Sequence, residues 1–431
     1  MLVLSFDSIG FNEFAVLIFC FLVIVRKTLL LKDLLHAIKK NKTLEKFDIT
    51  ATTIFGLEEI LAAELREIGA SDIEILSRAV SFKGDQAMLY KSNLLLRTAV
   101  KVLKPIKSFY AANEQQLYDN VKKINWDDYF SYDKTFAIDG STHSEIFTHS
   151  KFIALKSKDA IADQFREKYG IRPSVDTENP DLRINVHIED NAVVVSLDSS
   201  GTSLGKRNYR LEQVEAPISE VLAAGIIQLS GWDKKCDFID PMCGSGTFPI
   251  EAALLANNIP SGRNRGFGFE TWGDFDLNLW NEVKAEADSK IIASDVKILA
   301  NDIDSKAMDI AFANAKRAGV KDLIIFDTVD FFHTSHSEGK GIVVMNPPYG
   351  ERLQMDEITN FYQDIGTRLK HFYQGCDAWI ISSNYQALKN FGLRTSRKIK
   401  LFNGPLECRL QKYELYQGSK KASKVGDGQK E

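Results

Sequence analysis

The sequence predicts an α/β protein in which a doubly wound parallel sheet follows a smaller α+β region. Three observations predict it. From Ala216 onward, short apolar runs alternate with helical periodicity in the order strand, helix, strand, helix, the pattern of a parallel sheet covered on both faces. Before that point the order is strand, helix and later a hairpin-like pair, which suits an α+β region. The apolar runs of the second part end in Asp, Gly, Asn and Pro, and ligands of such sheets bind beyond the carboxyl ends of the strands.

A length of 431 residues suggests about two or three domains, and 44% hydrophobic residues is ordinary for a globular chain. With 54 Lys and Arg against 58 Asp and Glu, the net charge of −4 excludes a histone-like polycation but not a local basic face. Cys20, Cys236, Cys243, Cys376 and Cys408 are far apart and form no ligand-spaced pair, so a reduced, cytoplasmic chain without a metal site is expected.

At the N-terminus, Phe14 to Val25 is an uninterrupted apolar run followed by Arg26 and Lys27. A spanning helix needs about 20 apolar residues, and a secretory signal carries its positive charge before the run. The preferred reading is an extension joined to the folded part by Lys39-Lys40-Asn41-Lys42, with membrane attachment as the alternative.

From Phe47 the pattern becomes regular. Phe47 to Ile54 has strand character, Gly56 punctuates it, and Leu57 to Ile68 repeats apolar residues at helical spacing until Gly69. Leu94 to Lys104 is a second apolar and basic stretch, and Phe136 to Gly140 reads as a strand. Lys151 to Tyr169 reads as an amphipathic helix, with Phe152, Leu155, Ile161 and Phe165 apolar among Lys151, Lys156, Lys158, Arg166 and Lys168. Its basic face, Lys151 and Lys156 in particular, can meet RNA phosphates or simply be solvated. Ile184 to Ile188 and Ala192 to Leu197 form a hairpin around Glu189-Asp190-Asn191. The basic cluster after it, Lys206, Arg207, Asn208, Tyr209 and Arg210, suits RNA backbone contact and base stacking, and equally a basic linker.

The parallel strands are expected at Cys236 to Ile239, Val296 to Ala300, Leu323 to Phe326, Ile342 to Met345 and Ala378 to Ser382. After the first, Asp240, Pro241, Met242, Cys243, Gly244, Ser245, Gly246 and Thr247 lead into a helix with Pro249 in its first turn. The glycines allow close backbone approach, and the helix N-terminus would accept a carboxylate. Neither the P-loop nor the dinucleotide spacing is present. After the second strand, Asp302 stands where ribose hydroxyls would sit, while Asp304 reads as the cap of the next helix. After the third, Asp330 with Phe331 and Phe332 can accept an adenine amino group and flank its ring.

The fourth strand ends in Asn346-Pro347-Pro348-Tyr349. An exocyclic amino nitrogen of a nucleobase is a poor nucleophile because its lone pair is delocalised into the ring. The Asn346 side-chain oxygen and a backbone carbonyl stiffened by Pro347 and Pro348 can accept its two N–H groups and favour the nucleophilic form. Tyr349 then offers a ring for the base. Taken alone, the tetrapeptide could also be a strand-ending turn. Four consecutive strands with ligand-suited ends favour the catalytic reading. Cys243 has no base partner in the sequence and reads as a packing residue.

Several stretches carry a resemblance: FDITATTIFGLEEIL, SLDSSGTSLGKRNYR, APISEVLAA, DPMCGSGTFPIEAAL, NPPYGERL and LFNGPLECRLQKYEL. Collinear over about six-sevenths of the chain, they resemble the THUMP-containing class I RNA methyltransferases, and most closely the amino-terminal, guanine-N2 half of RlmL-like proteins. The resemblance implies a Rossmann-like class I methyltransferase domain preceded by an α+β ferredoxin-like plus THUMP region. The implied organisation is an extension at 1–46, a ferredoxin-like part at 47–105, an RNA-binding THUMP domain at 106–205, a methyltransferase domain at 206–416 and a tail at 417–431.

Carried over onto this chain, the resemblance places S-adenosylmethionine against Pro217, Asp240, Pro241, Cys243, Gly244, Gly246, Thr247, Asp302, Ile303, Asp330 and Asn346. Asn346, Pro347, Pro348 and Tyr349 occupy the catalytic motif. The implied substrate is guanine in large-subunit ribosomal RNA, a branch to which Gly350-Glu351-Arg352-Leu353 also points. Long fusions in the family carry a second methyltransferase domain, whereas this chain ends soon after Tyr416. The rival substrates are guanine in tRNA and the adenine amino group in DNA or RNA. The rival of another class is a non-catalytic RNA-binding assembly factor.

Overall fold

In the computed structural model, residues 45–210, 218–337, 339–349 and 355–416 are described. The apolar run Phe14 to Val25, the expected cofactor contact Pro217, the stretch Gly350 to Leu353 and the tail from 417 lie outside them.

Strand β1 (Phe47–Thr53) alternates as expected, burying Ile49, Ala51 and Thr53 on one face. Helix α1 (Glu58–Glu67) packs Leu61, Ala62 and Leu65 inward, and Gly69 at φ +90° ends the helical path in a conformation only glycine adopts without cost. There follow β2 (Ser71–Leu76), β3 (Ala79–Gly84), α2 (Gln86–Leu95), β4 (Ala99–Tyr110), α3 (Glu114–Lys122), β5 (Thr135–His143), α4 (Ser150–Tyr169), β6 (Ser174–Val175), β7 (Leu182–Glu189) and β8 (Ala192–Asp198). All eight strands form one sheet in the order β2-β3-β1-β4-β8-β7-β5-β6. Strand β4 joins its halves, pairing β1 through Ala99 to Leu103 and β8 through Leu103 to Tyr110, with a register break between Pro105 and Lys107. The 105/106 boundary expected from the sequence therefore falls inside a single 12-residue strand.

The hairpin turns at Asp190, φ +53°, with β7 and β8 antiparallel on either side. Helix α4 corrects the sequence reading of its apolar face. The buried positions are Ile153, Ser157, Ala160, Ile161, Ala162 and Phe165, whereas Phe152 and Leu155 are exposed. Spacings of three and four residues from Phe165 and Ile161 lead back to Ser157 and Ile153 rather than to Phe152 and Leu155. Gly140 lets the start of α4 lie on β5, because a Cβ there would stand 2.3 Å from the Ser150 carbonyl oxygen.

The second lobe contains α5 (Glu220–Leu229), β9 (Asp237–Asp240), α6 (Thr247–Ala256), α7 (Leu277–Ser289), β10 (Ile298–Asp302), α8 (Ser305–Ala318), β11 (Ile325–Thr328), β12 (Gly341–Met345), α9 (Met355–Phe372), β13 (Cys376–Ser382), α10 (Tyr385–Lys389), β14 (Arg397–Asn403) and β15 (Leu406–Glu414). The sheet order is β11-β10-β9-β12-β13-β15-β14. The first five strands are parallel, β15 pairs antiparallel with β13, and β14 pairs antiparallel with β15, so β15 alone runs against the others. Every residue of β12 is buried, as for a parallel strand covered on both faces. Chain order reverses between β9 and β12, which marks the ligand crevice at their carboxyl ends. The structure adds the β14–β15 hairpin, whose two-residue turn is Gly404-Pro405 between the paired Asn403 and Leu406, with Gly404 at φ +60°.

A stretch of the second lobe belongs by packing to the first. Phe267, Phe269, Trp272 and Trp280 join the core of the eight-stranded lobe, where Phe269 stacks on Tyr90 at 4.3 Å. The Gly262 N–H donates to Leu94 and the Phe269 N–H to Ser199, so backbone bonds reinforce the apolar contact.

Charges buried between the lobes complete the join. Glu64 on α1 accepts from the Arg97 and Thr98 amides, the Thr98 hydroxyl and the Gln228 amide of α5. Arg97 donates to the Leu254 and Ile259 carbonyls at the end of α6. Arg207 donates to the Arg97 and Leu204 carbonyls and lies 3.5 Å from Glu251 of α6, which also accepts from the Tyr209 hydroxyl at 3.1 Å. Arg207 and Tyr209 are thus buried, at 3% and 2% exposure, and are not the RNA-facing residues expected from the sequence. Burial pushes the Glu64 and Glu251 carboxyls up and the Arg97 guanidinium down, against the pull of their charged neighbours. Removing one member strands the others, and losing one side of a buried pair costs about 3–5 kcal/mol. Glu251→Ala is expected to lower the unfolding free energy measured by urea titration by an amount in that range, and Glu251→Gln, which keeps an acceptor for Tyr209, by clearly less.

Candidate active site

Strand β9 delivers Asp240 to the crevice with 1% exposure. Its carboxylate accepts the Met242 N–H at 3.3 Å, and burial, with a further contribution from Asp302, holds it well above the usual carboxylate range. No ion pair to Asp240 forms among the described residues, so a ligand cation placed here would be favoured. Pro241 is buried behind it.

The turn after β9 is fixed from both sides. The Cys243 N–H donates to the Asn301 carbonyl at 2.8 Å and the Gly246 N–H to the Cys243 carbonyl at 2.8 Å. The Gly244 N–H donates to Asp302 Oδ2 at 2.8 Å, which ties this loop to the end of β10. Gly244 and Gly246 have φ of +52° and +81°. At Gly246 a Cβ would also meet Ala311 Cβ at 3.0 Å, because α8 packs directly beneath. Helix α6 then opens at Thr247 with no side-chain cap, so its N–H groups are available to an anionic ligand group.

Cys243 is buried with Sγ 3.6 Å from Met308 Sδ, and burial beside Asp240 and Asp302 pushes its thiol well up. That environment disfavours a thiolate and suits a packing role. Asp302 Oδ1 accepts the Asp304 N–H at 3.0 Å, and Asp304 itself caps α8 through the Lys306 N–H. Ile303 is 69% exposed beside Asp302, an apolar side chain at the crevice mouth. Asp330 accepts the Phe332 N–H at 3.0 Å and so caps the single turn Phe331–His333. Phe331 does not flank a ligand ring as expected. It is 2% exposed and stacks on Tyr373 inside the third core cluster.

Asn346 follows β12 at the same sheet edge. Val343 lies opposite Ile239 in parallel register, which brings the residues after Met345 level with the loop after Asp240. Pro347 is buried and Pro348 exposed. The Pro348 carbonyl accepts from the Tyr362 hydroxyl at 3.2 Å and the Tyr349 carbonyl from Asn384 Nδ2 at 3.1 Å, so the motif is held from α9 and from the start of α10. The Tyr349 ring packs against the second core cluster, and its hydroxyl donates to Asn346 Oδ1 at 2.6 Å. Burial pushes the Tyr349 phenol up, so it remains an O–H donor. Here Tyr349 occupies the acceptor expected for a substrate amino group, a contact that sequence spacing did not reveal.

Of the residues expected to meet RNA, Lys151 and Lys206 are exposed and Lys156 is half-buried with its ammonium 5.3 Å from the Tyr118 ring centroid. Arg207 and Tyr209 are buried between the lobes, and Arg210 turns toward the loop after β9. No helix among the described residues is long and apolar enough to cross a membrane.

The strand-end acids, the two positive-φ glycines and the uncapped helix start fit a nucleoside carrying an amino-acid group, as S-adenosylmethionine does. Gly246→Ala would both strain φ and press on Ala311. Calorimetry with S-adenosylhomocysteine is expected to show at least about tenfold weaker binding, consistent with roughly 1–2 kcal/mol for a left-handed non-glycine residue plus overpacking. Asp302→Ala removes both the Gly244 contact and the acid, and wild-type affinity in that variant would remove Asp302 from the cofactor site.

The comparisons with known proteins agree with this geometry. Residues 207–412 match an RMKL-like methyltransferase domain, 111–198 a THUMP domain and 48–103 an RlmL ferredoxin-like domain. A Synechocystis sp. protein named as an RNA methyltransferase, slr0064, is 40% identical over 369 residues, covering 85% of this chain and 96% of that protein. The crystal structure of SMU.472, named as a methyltransferase and complexed with S-adenosylhomocysteine, is 30% identical with a TM-score of 0.78, over 87% of this chain and 100% of the other. A Listeria monocytogenes structure, named for an N6-adenine-specific DNA methylase, is 31% identical with a TM-score of 0.77, over 86% of this chain and 97% of that one. The chain belongs to the THUMP-containing, RlmL-like family of S-adenosylmethionine-dependent RNA methyltransferases.

Proposed function

We propose that this protein methylates the exocyclic N2 amino group of a guanine in large-subunit (23S) ribosomal RNA. The observation that carries the reading is Asn346, whose side-chain oxygen stands at the sheet edge beside the cofactor loop and is engaged as a hydrogen-bond acceptor. A target amino group would take the place of the Tyr349 hydroxyl on Asn346 Oδ1, with a second N–H directed to the Pro347 carbonyl. Held in this way, the nitrogen lone pair leaves conjugation and points at the incoming carbon.

S-adenosylmethionine, when bound, supplies a methyl group already activated by its sulfonium. The chain therefore aligns reactants and excludes water, and it needs no covalent intermediate. As the N–C bond forms, the C–S bond breaks. The sulfonium charge passes to nitrogen, which then releases a proton to solvent. Asp240 would balance the ammonium of the methionine part, Asp302 would take the ribose hydroxyls and Asp330 the adenine amino group. Pro217 would stand beside the cofactor, and Lys151, Lys156 and Lys206 are the remaining candidates for RNA contact.

The THUMP match supports RNA over DNA, although the Listeria relative's name points to adenine in DNA and the amino chemistry is the same for both bases. The test is to incubate the protein with labelled S-adenosylmethionine and total RNA or DNA, then digest and identify the nucleoside by mass spectrometry. N2-methylguanosine confined to large-subunit rRNA is expected. N2-methylguanosine in tRNA, or N6-methyladenine in either polymer, would overturn the assignment.

The Tyr349 contact yields a separate expectation. Tyr349→Phe keeps the ring but frees Asn346 Oδ1, so turnover should persist with an RNA KM equal to or below wild type. Tyr349→Ala also loses the ring, and stacking worth about 1–3 kcal/mol per base implies roughly tenfold to hundredfold lower kcat/KM.

A further inference from the structure

The last residue of the basic cluster makes a set of contacts unlike those of an RNA-facing arginine. Arg210 is largely buried, with 12% of its side chain exposed. Its Nε donates to Glu220 Oε1 at 2.8 Å, Nη1 to Ser245 Oγ at 3.2 Å, and Nη2 to Thr247 Oγ1 at 2.9 Å and to the Ile218 carbonyl at 3.0 Å. One guanidinium thus fastens three pieces of chain: the segment leaving the first lobe, the residues that open α5, and the loop that opens α6. Ser245 and Thr247 flank Gly246, and the Ser245 carbonyl is also held by Asn314 Nδ2 of α8 at 3.1 Å.

We propose that Arg210 is a positioning residue for the methyl donor, setting donor affinity by fixing the loop Gly244 to Thr247 against the start of α5. The inference rests on cofactor use and not on which base is methylated. Two physical points carry it. The contacts need a planar fork with several donors, which an ammonium at the end of a lysine cannot reproduce. A hydroxyl that accepts from Arg210 also has its own proton free to point elsewhere. Ser245 and Thr247 are thereby set as donors beside the α6 N-terminus, where the donor's carboxylate would lie. Glu220 neutralises the guanidinium, so Arg210 acts through placement and hydrogen bonding more than through net charge.

The neighbouring residues fit the same picture. Arg207 and Tyr209 both reach Glu251, in the second turn of α6, while Arg210 reaches the loop and the first residue of that helix. The segment from Lys206 to Arg210 therefore grips α6 over its opening turns and leaves only Lys206 and Asn208 exposed.

The test measures S-adenosylhomocysteine affinity by calorimetry in the absence of RNA, together with steady-state kinetics and RNA filter binding. Arg210→Ala is expected to weaken S-adenosylhomocysteine about tenfold to a hundredfold, the scale of losing charge-assisted bonds. The KM for S-adenosylmethionine should rise in step. The kcat at saturating donor should stay within about threefold and RNA affinity should not change. Arg210→Lys should recover only part of the loss. The pair Ser245→Ala and Thr247→Val, which leaves the Glu220 ion pair intact, should weaken the donor in the same way, and adding Arg210→Lys to it should cost little more. Wild-type donor affinity in folded Arg210→Lys and in the Ser245/Thr247 variant would overturn the proposal. So would a loss of RNA affinity with donor affinity unchanged. Because S-adenosylhomocysteine binding is read without RNA, a wrong guanine assignment would leave these results untouched.

Discussion

Arg97, Arg207, Glu64 and Glu251 lie between the two lobes with little or no access to water, and this buried set fixes where everything else stands. Burying a charge is costly unless every donor and acceptor finds a partner. Here most partners come from both lobes, Thr98 from the first, Gln228 on α5 and the carbonyls at the end of α6 from the second, while Arg97 Nη1, Arg207 Nε and Glu251 Oε2 make no hydrogen bond among the described residues. Sliding one lobe over the other would break several of these bonds together. The register between the eight-stranded sheet and the seven-stranded sheet is accordingly specific. The aromatic set Phe267, Phe269, Trp272 and Trp280 adds apolar burial to the same join.

That fixed register connects RNA capture to chemistry. The first lobe holds the THUMP match, while the second presents the cofactor loop and Asn346 at one sheet edge. Helix α6 is the shared part. Its first residue receives Arg210, its second turn offers Glu251 to Arg207 and Tyr209, and its last carbonyls receive Arg97. A helix gripped along its length cannot shift its N-terminus without disturbing the lobe junction. The methyl donor's site and the position of the RNA-binding lobe are thus tied through one element.

Much of the fold was legible because the relevant signals are local. Alternation in Phe47 to Thr53, the turn at Asp190 and four of the parallel strands follow from nearest-neighbour periodicity, while the exposed edge strand β11 starts at Ile325, two residues later than its apolar run suggests, because Lys321–Leu323 form a turn. The cap at Asp304 is local in the same way, whereas Cys243 packs on Met308, 65 residues further along. What escaped depends on distant partners. Arg207 and Tyr209 look like surface residues until Glu251, more than forty residues later, is brought against them. Phe267 to Trp280 sits inside the sequence of one lobe and the core of the other, and no periodicity reports that. Phe152 and Leu155 are apolar yet lie off the buried stripe of α4, so composition alone misplaced them. At the site, the order of strand ends pointed to Asp240, Asp302 and Asn346, but the Tyr349 hydroxyl on Asn346 is a side-chain geometry that a motif cannot convey.

The central claim is that Asn346 acts on the substrate amino group, so that its loss costs transfer rate far more than cofactor affinity. Its most direct test is single-turnover methyl transfer by Asn346→Ala, compared with wild type on the same RNA, alongside S-adenosylhomocysteine affinity. Loss of a preorganised hydrogen-bond partner in a transition state costs about 10²–10³ in rate, so transfer should fall by that factor while the affinity stays as in wild type. An unchanged transfer rate would contradict the account.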